Sequence, residues 1–186
     1  MKILVTGSQG QLGSELRYMS ETYEDFKWIF TDIEDFDLRE LKQIELNLKR
    51  INPDIIINCA AYTNVDKAES ELELAKLINC SAVDLLSKWT YKNNSKLIHI
   101  STDYVFDGNS STPLDEDAKT SPINIYGKTK LQGEKICLIN DDNCVIIRTS
   151  WVYSSFGKNF VKTMCKLMNE KKSLHIINDQ IGSPTY

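Results

Sequence analysis

Tyr126 and Lys130 form a Y-x-x-x-K pair in the segment YGKTK. If this segment is helical, both side chains lie on one face, because residues four apart are neighbours on a helix. A free tyrosine has a pKa near 10 and exchanges protons poorly at neutral pH. A nearby ammonium stabilises the phenolate and lowers that pKa, so the pair could exchange a proton with a substrate oxygen. The same spacing also occurs by chance, and its context decides its meaning.

Thr102 is the third candidate catalytic residue. It lies in the segment STDYVFDG, which begins at the carboxyl end of an apolar run. Ligands of open α/β sheets bind at that end of the strands. Its hydroxyl could donate to the substrate oxygen that Tyr126 serves. The alternative is a strand-end turn in which Thr102 bonds only to backbone; the presence of Tyr126 and Lys130 favours the catalytic interpretation.

Three glycines with the spacing G-x-x-G-x-x-G follow the first apolar run. Gly7 permits a tight exit from a strand, Gly10 lets the backbone approach a pyrophosphate, and Gly13 lets the next helix pack close to the sheet. The N-terminus of that helix offers free N–H groups and a positive dipole end to phosphates. The strand–turn–helix context therefore predicts a dinucleotide site rather than an unspecialised glycine-rich turn.

Two aspartates follow the second apolar run. Asp32 comes roughly 20 residues after the glycines, where a carboxylate can accept hydrogen bonds from the adenosine ribose and repels a 2′-phosphate. This predicts a mild preference for NADH over NADPH; the alternative is a solvated strand-end carboxylate. Asp37 and Glu40 have the spacing of a capping box, so Asp37 is expected to begin a helix.

Short β-branched runs alternate with longer amphipathic stretches along the chain. The predicted strands are 2–6, 27–31, 54–58, 96–101, 144–148 and 173–177, and the predicted helices are near 11–20, 38–51, 66–93, 126–139 and 157–170. Runs such as DIIIN and KLIHI are typical of strands buried on both faces of a parallel sheet. The pattern predicts an α/β fold, with a doubly wound, mostly parallel, Rossmann-like sheet and helices on both faces.

Composition and charge argue against a protein that binds nucleic acid or a membrane. The 186 residues carry a net charge of −4 and no basic run, which argues against nucleic-acid or membrane-surface partners. No stretch approaches the roughly 18 apolar residues of a membrane span, and the N-terminus is unlike a signal peptide. The five cysteines lack C-x-x-C spacing and are expected to be buried free thiols in a cytoplasmic protein. His99 and His175 lack metal-site spacing and are interpreted as packing residues.

Five sequence blocks together resemble the dTDP-4-dehydrorhamnose reductase family of extended short-chain dehydrogenase/reductases. They are NCAAYTNVDKAE (Asn58–Glu69), STDYVFDG (Ser101–Gly108), YGKTKLQGE (Tyr126–Glu134), RTSWVY (Arg148–Tyr153) and INDQIGSPT (Ile177–Thr185). The blocks occur in the family's order and cover essentially the whole chain. The resemblance implies NADH- or NADPH-dependent reduction of the C4 ketone of a dTDP-linked 6-deoxysugar, giving dTDP-L-rhamnose.

The resemblance also implies roles for single residues. Tyr126 would donate the proton, Lys130 would lower its pKa and hold the nicotinamide ribose, and Thr102 would tune the tyrosine. The implied cofactor residues are Gly7, Gly10, Gln11, Leu12 and Gly13 in the turn, Asp32, Asp37 and Leu38 at the adenosine, and Ala61, Tyr62 and Thr63 along the cleft. The implied substrate residues are Thr102, Asp103, Tyr104 and Trp151.

The resemblance places residues 1–150 in a dinucleotide-binding domain and 151–186 in a last helix and strand that begin an incomplete substrate lobe. Family members run on for roughly a hundred further residues, so the chain is expected to stop before that lobe is complete. Some members dimerise through magnesium held by glutamates. Glu15 matches one such position, so a homodimer is allowed but no metal is predicted. The alternatives are a non-catalytic dinucleotide-binding subunit, an inactive truncated fragment, or an epimerase or dehydratase of the same superfamily.

Overall fold

The computed structural model describes all 186 residues, and its centre is a five-stranded parallel sheet. The strands are β1 (Lys2–Thr6), β2 (Lys27–Thr31), β3 (Ile55–Asn58), β4 (Lys96–Thr102) and β5 (Val145–Thr149). Their order is β2-β1-β3-β4-β5, so the chain reverses direction across the sheet between β1 and β3. The predicted doubly wound parallel sheet is confirmed.

Helices connect the strands on both faces of the sheet. They are α1 (Gln11–Ser20), α2 (Leu41–Ile51), α3 (Val65–Ala68), α4 (Leu72–Lys76), a π-helix (Leu77–Ser81), α5 (Ala82–Lys92), a 3₁₀ turn (Asp103–Val105), α6 (Ile125–Asn140) and α7 (Phe160–Glu170). Helices α2, α5 and α6 pack side by side. Right-handed crossovers place these three on one face and α1 on the other.

The core lies between the sheet and the α2–α5–α6 layer. Leu4, Ile56 and Leu97 stand in register on β1, β3 and β4, and none of the three is exposed. Ile44 and Leu86, from α2 and α5, belong to the same buried cluster. Each such side chain contributes roughly 1.5–3 kcal/mol by leaving water. On the opposite face, Ile3 and Val5 of β1 are buried, whereas the apolar residues of β4 and β5 are only partly buried or exposed. The predicted burial of both faces therefore holds at β1 and not at β4 and β5.

Three of the predicted elements were wrong. No strand forms at 173–177, because that segment pairs with no neighbouring strand. The predicted helix 66–93 is interrupted after Ala68 and continues through a π-helical segment. Helix α2 begins at Leu41, and Asp37 does not cap it; instead the Asp37 carboxylate binds the Arg39 guanidinium and backbone N–H.

The cysteines also depart from the prediction of buried free thiols. Cys137 near the end of α6 and Cys144 just before β5 are joined as a disulfide. Cys80 is buried and free, as expected, whereas Cys165 is exposed on α7. The sequence spacing of Cys137 and Cys144 carries no signal for pairing, because the turn that brings them together forms only with the fold. None of the helices has the combination of length and apolar side chains that a membrane crossing requires.

Candidate functional site

A cleft of about 780 Å³ opens at the carboxyl ends of the strands. It lies at the reversal between β1 and β3, which is where open α/β sheets bind their ligands. Its size falls within the roughly 300–1,000 Å³ range of small-molecule sites. Residues from the ends of β1, β2, β3, β4 and β5 all line it, together with the first turn of α1.

The glycine turn forms the floor of this cleft. Gly7 has φ +65°, and a Cβ on it would lie 2.7 Å from the backbone nitrogen of Ala60. Gly10 is the N-cap of α1 in an extended conformation, and its only near neighbour is the Gly7 carbonyl. A Cβ on Gly13 would collide with the backbone of Gly7 and Ser8, so this glycine packs the helix against the turn rather than the sheet. The residues of the turn that line the cleft are Gly7, Gly10, Gln11 and Leu12. Gly13 does not line the cleft and packs against the turn instead.

Ser101 shows that the cleft is built for a polar ligand. Its hydroxyl is the one buried side-chain polar atom without a hydrogen-bond partner, and the residue is only 3% exposed. Ser101 lines the cleft beside Tyr126 and Lys130. Buried polar groups are almost always hydrogen-bonded, so the unpaired hydroxyl is available to a polar ligand in the cleft. With the open backbone at Gly10, this fits a dinucleotide, whose phosphates and sugars carry many polar atoms.

The part of the cleft next to β2 carries both predicted carboxylates, and each is already hydrogen-bonded within the protein. Asp32 accepts hydrogen bonds from the backbone nitrogens of Gln9 at 2.7 Å and Ile33 at 2.9 Å. The hydrogen bond from Arg39 holds the pKa of Asp37 below its usual value. Asp32, Asp37 and the buried Leu38 all line the cleft, as does Arg39. Asp37 can meet an adenine only by sharing its carboxylate with Arg39.

Asn79 holds the segment after β3 through two hydrogen bonds to the Tyr62 backbone. The Asn79 amide accepts from the backbone nitrogen of Tyr62 at 2.8 Å and donates to its carbonyl at 3.1 Å. Ala61 and Thr63 line the cleft, but Tyr62 does not. The Tyr62 hydroxyl donates to Glu71 at 2.6 Å, and this bond raises the pKa of Tyr62 to about 12. Tyr62 therefore anchors the segment, contrary to the expectation that its side chain lines the cleft.

Helix α6 delivers Tyr126 and Lys130 to the same cleft. The helix begins where the Asn124 side chain accepts from the backbone nitrogen of Gly127 at 2.7 Å. The Tyr126 ring packs edge-to-face on Tyr104, with centroids 5.6 Å apart. The Lys130 ammonium donates to the carbonyl of Ile100 at 2.6 Å, and the side chain is completely buried. The predicted pair therefore stands on one helical face.

Burial shifts the pKa of both residues of this pair. Burial raises the pKa of Tyr126, and the hydrogen-bonding Thr102 hydroxyl opposes that change only in part. The Lys130 ammonium donates to the Ile100 carbonyl on β4, and the expected lowering of the Tyr126 pKa by Lys130 stays a prediction. Burial also lowers the pKa of Lys130 to about 8, against the opposing effect of Glu134. Thr102 itself contacts the Asp103 carboxylate and the backbone nitrogen of Tyr104.

The residues assigned to substrate do not converge on one pocket. Asp103 and Tyr104 form the 3₁₀ turn after β4, next to Tyr126, and burial raises the pKa of Asp103. Trp151 lies in a second pocket of about 570 Å³, which Phe160 and Pro184 also line. It adopts φ +48°, and a Cβ on Gly182 would collide with its indole. Non-glycine residues with positive φ concentrate at functional sites, which agrees with a binding role for Trp151.

Sequence reasoning missed several residues of the cleft. They are Gln9, Arg39, Cys59, Ser101, Thr149, Tyr153 and Lys158. Ser101 and Thr149 could have been found, because each lies at the carboxyl end of a predicted strand. Arg39 and Lys158 lie in irregular segments, whose approach to the cleft depends on the tertiary fold.

Several known proteins with similar sequences and structures are dTDP-4-dehydrorhamnose reductases. A dTDP-4-dehydrorhamnose reductase of Salmonella typhimurium is 43% identical over 187 residues, which is 100% of this chain and 62% of that protein. The crystal structure of a dTDP-4-dehydrorhamnose reductase from Clostridium acetobutylicum superposes with a TM-score of 0.95 at 39% identity, covering 100% of this chain and 65% of that one. A Bacillus anthracis dTDP-4-dehydrorhamnose reductase in complex with NADP gives 0.94 at 40% identity, covering 100% and 66%.

The chain spans about 62% of the length of three curated dTDP-4-dehydrorhamnose reductases that it matches. The sequence profile of one family, the RmlD substrate binding domain, matches residues 1–186. This match covers the glycine turn, the Tyr126–Lys130 helix and the second pocket alike. The chain belongs to the RmlD substrate binding domain family.

Proposed function

We propose that the protein carries out the NAD(P)H-dependent reduction of the C4 ketone of a dTDP-linked 6-deoxysugar, giving dTDP-L-rhamnose for cell-surface polysaccharide. The observation that carries this proposal is one cleft that unites the glycine turn, the unpaired Ser101 hydroxyl and the Tyr126–Lys130 pair. The relatives named above are dTDP-4-dehydrorhamnose reductases, and their name states this reaction on a dTDP-linked sugar. Thr102, Tyr126 and Lys130 are all present in the chain, and Tyr126 and Lys130 line the cleft; this supports an enzyme over a non-catalytic subunit.

In this proposal a bound NADH or NADPH supplies the hydride. The Tyr126 phenol holds the proton that the substrate oxygen receives, and its raised pKa keeps it protonated at neutral pH. Lys130 holds the nicotinamide ribose, and Thr102 orients the phenol. Ser101 offers its free hydroxyl to the cofactor. The glycine turn and the N-terminus of α1 take the pyrophosphate.

The remaining assignments follow from the same proposal. Residues 1–150 form the dinucleotide domain, and 151–186 begin a substrate lobe that takes the nucleotide sugar with Asp103, Tyr104 and Trp151. We propose a cytoplasmic protein, and a homodimer is the assembly that the family resemblance suggests. The direct test is to supply the full-length protein with dTDP-4-dehydro-6-deoxy-L-sugar and reduced nicotinamide. Oxidation of the nicotinamide that depends on the sugar supports the proposal, and its absence refutes it.

Replacing Gly10 with valine should abolish dinucleotide binding and leave the fold intact. The extended backbone at Gly10 accepts any residue, but the new side chain stands where a pyrophosphate must approach. We expect affinity to fall by at least about 100-fold, equivalent to about 2.8 kcal/mol. Fluorescence titration with NADH and NADPH measures this loss.

Ser14→Val is the matched control for Gly10→Val. It places the same side chain one turn further along α1, outside the lining of the cleft. This variant should bind dinucleotide like the wild type. Normal binding by Gly10→Val would show that the phosphates lie elsewhere.

Replacing Asp32 with asparagine should shift cofactor preference toward NADPH. The amide oxygen can still accept from the Gln9 backbone, but the negative charge that opposes a 2′-phosphate is gone. We expect the ratio of the NADPH and NADH dissociation constants to fall by roughly 3–10-fold, or about 1 kcal/mol. Asp35→Asn changes the same charge on an exposed residue outside the cleft and should leave the ratio unaltered. An unchanged ratio in Asp32→Asn would remove Asp32 from the ribose site.

A further inference from the structure

A row of polar side chains crosses the sheet where apolar ones are expected. Thr6, Asn58 and His99 stand in register on β1, β3 and β4. They lie two residues beyond Leu4, Ile56 and Leu97, and therefore on the same face. None of the three polar residues is more than 1% exposed. Burying such groups costs free energy unless each one is hydrogen-bonded, so the polar row needs a reason.

Hydrogen bonds join the polar row end to end and lead to Lys130. Thr6 Oγ1 lies 2.6 Å from Asn58 Oδ1, and the other end of that amide lies 3.0 Å from His99 Nδ1. His99 Nε2 lies 3.4 Å from Lys130 Nζ. The row therefore begins on the first strand of the sheet and ends on the ammonium that borders the cofactor cleft.

We propose that His99 is a positioning residue for Lys130: its neutral imidazole, oriented by Asn58 and Thr6, accepts a hydrogen bond from the ammonium and fixes where the remaining N–H group points. The inference rests on the proposed function, since it takes Lys130 to hold the cofactor. Lysine has a flexible four-carbon stem with three donors. Ile100 O and His99 Nε2 are two acceptors on one rigid strand, which leaves the third donor for the cleft.

The contact with Lys130 determines which nitrogen of the neutral His99 ring carries the proton. An ammonium only donates, so Nε2 must accept and the proton of His99 must be on Nδ1. Nδ1 then donates to the Asn58 amide oxygen, and the amide nitrogen donates to Thr6. The structure orients the amide with its nitrogen toward the ring; a half-turn exchanges nitrogen and oxygen and leaves every other atom in place.

The surrounding charges agree with this arrangement. The ionisable groups that act on Lys130 are Glu134 on α6, Cys59 after β3 and His99 on β4. With a pKa of about 8, Lys130 is mainly an ammonium at neutral pH. Burial first, and then the charge of Lys130, lower the pKa of His99 well below its ordinary value, so the ring remains neutral.

Nitrogen NMR on the wild-type protein tests the ring proton directly. The chain has two histidines, and the exposed His175 serves as the reference and can be assigned with His175→Gln. We expect His99 at about pH 7 to be neutral with its proton on Nδ1. A proton on Nε2, or a cationic ring, overturns the proposal without any variant of His99.

Two substitutions of His99 separate positioning from packing. A glutamine reaches the position of Nε2 and can accept from Lys130, whereas an asparagine reaches only the position of Nδ1. His99→Asn should weaken dinucleotide binding about ten-fold, the effect of one lost hydrogen bond to a charged group, and His99→Gln should restore most of it. Both variants remove the same ring, so a purely structural residue would weaken binding equally in both, and that result overturns the proposal.

Thr6→Val tests the row without substituting His99 itself. It removes the hydroxyl that anchors Asn58 while nearly keeping the side-chain volume. We expect affinity for NADH to fall about two- to three-fold, as the far end of the row loosens. If the wild type binds no dinucleotide, the proposed function fails; if it binds and His99→Asn binds equally well, only the positioning role fails.

Discussion

Tyr126→Phe should lower the turnover of the full-length protein by roughly 10²–10⁴-fold, the usual cost of losing a positioned acid. The substitution removes the hydroxyl and keeps the ring, so the edge-to-face contact with Tyr104 survives. Burial raises the pKa of Tyr126 and keeps the wild-type phenol protonated, which is the state that a proton donor to a ketone needs. Steady-state reduction of dTDP-4-dehydro-6-deoxy-L-sugar measures the effect.

Two companion variants make this result specific. Tyr153→Phe removes a phenol from the lining of the same cleft and should leave turnover nearly unchanged. Lys130→Met should lose turnover as severely as Tyr126→Phe and lose dinucleotide affinity as well, whereas Tyr126→Phe should still bind the cofactor. Near-normal turnover by Tyr126→Phe would mean that the proton comes from another group.

Glu134→Ala should lower the free energy of unfolding by about 2–4 kcal/mol, because it leaves Arg148 without its partner, and solvent at the partly exposed guanidinium offsets part of the cost of a fully buried pair. The Glu134 side chain is 3% exposed and binds Arg148 through both oxygens, with Nη2–Oε2 at 2.8 Å. The same guanidinium donates to the Glu116 carbonyl and lies over the Phe106 ring. One ion pair therefore joins α6, β5 and the loop after β4.

Urea unfolding of Glu134→Ala and Glu116→Ala tests that prediction. Glu116 bonds Arg148 through its backbone carbonyl, and its exposed side chain adds only a solvent-screened charge, so Glu116→Ala should change stability by no more than about 0.5 kcal/mol. A loss below about 1 kcal/mol in Glu134→Ala would mean that water reaches Arg148 and that the pair contributes little.

The fold was predictable where the local sequence and the global topology agree. The runs at β1 and β2 are bounded by turn residues and match the structure residue for residue. The segment 173–177 has the same apolar character, yet it forms no strand. A strand forms only beside a neighbour with free hydrogen-bonding groups, and the local sequence does not show whether such a neighbour exists.

The site was predictable in its motifs but not in its electrostatics. The glycine spacing located the cleft, and the Y-x-x-x-K spacing brought Tyr126 and Lys130 to it. The engagement of Asp37 by Arg39 could not be foreseen, since the capping-box spacing fits a helix start equally well. The polar row could not be predicted either, because Thr6, Asn58 and His99 are far apart in sequence. Only the register of the strands aligns them.

The π-helical segment between α4 and α5 makes the cleft sensitive to the deletion of a single residue. At its end the Ala82 backbone nitrogen donates to the carbonyl of Leu77, five residues back, so the segment holds one residue more than an α-helix would. Asn79, which holds Tyr62, lies in the widened turn. Deleting one residue beside Asn79 would restore regular α-helix and keep both flanks nearly in their present orientation, because the widened turn absorbs the extra residue, but Asn79 would lose its place in that turn. The helix would become locally more regular while the segment after β3 lost its anchor, so the extra residue is a requirement of the cleft rather than of the helix.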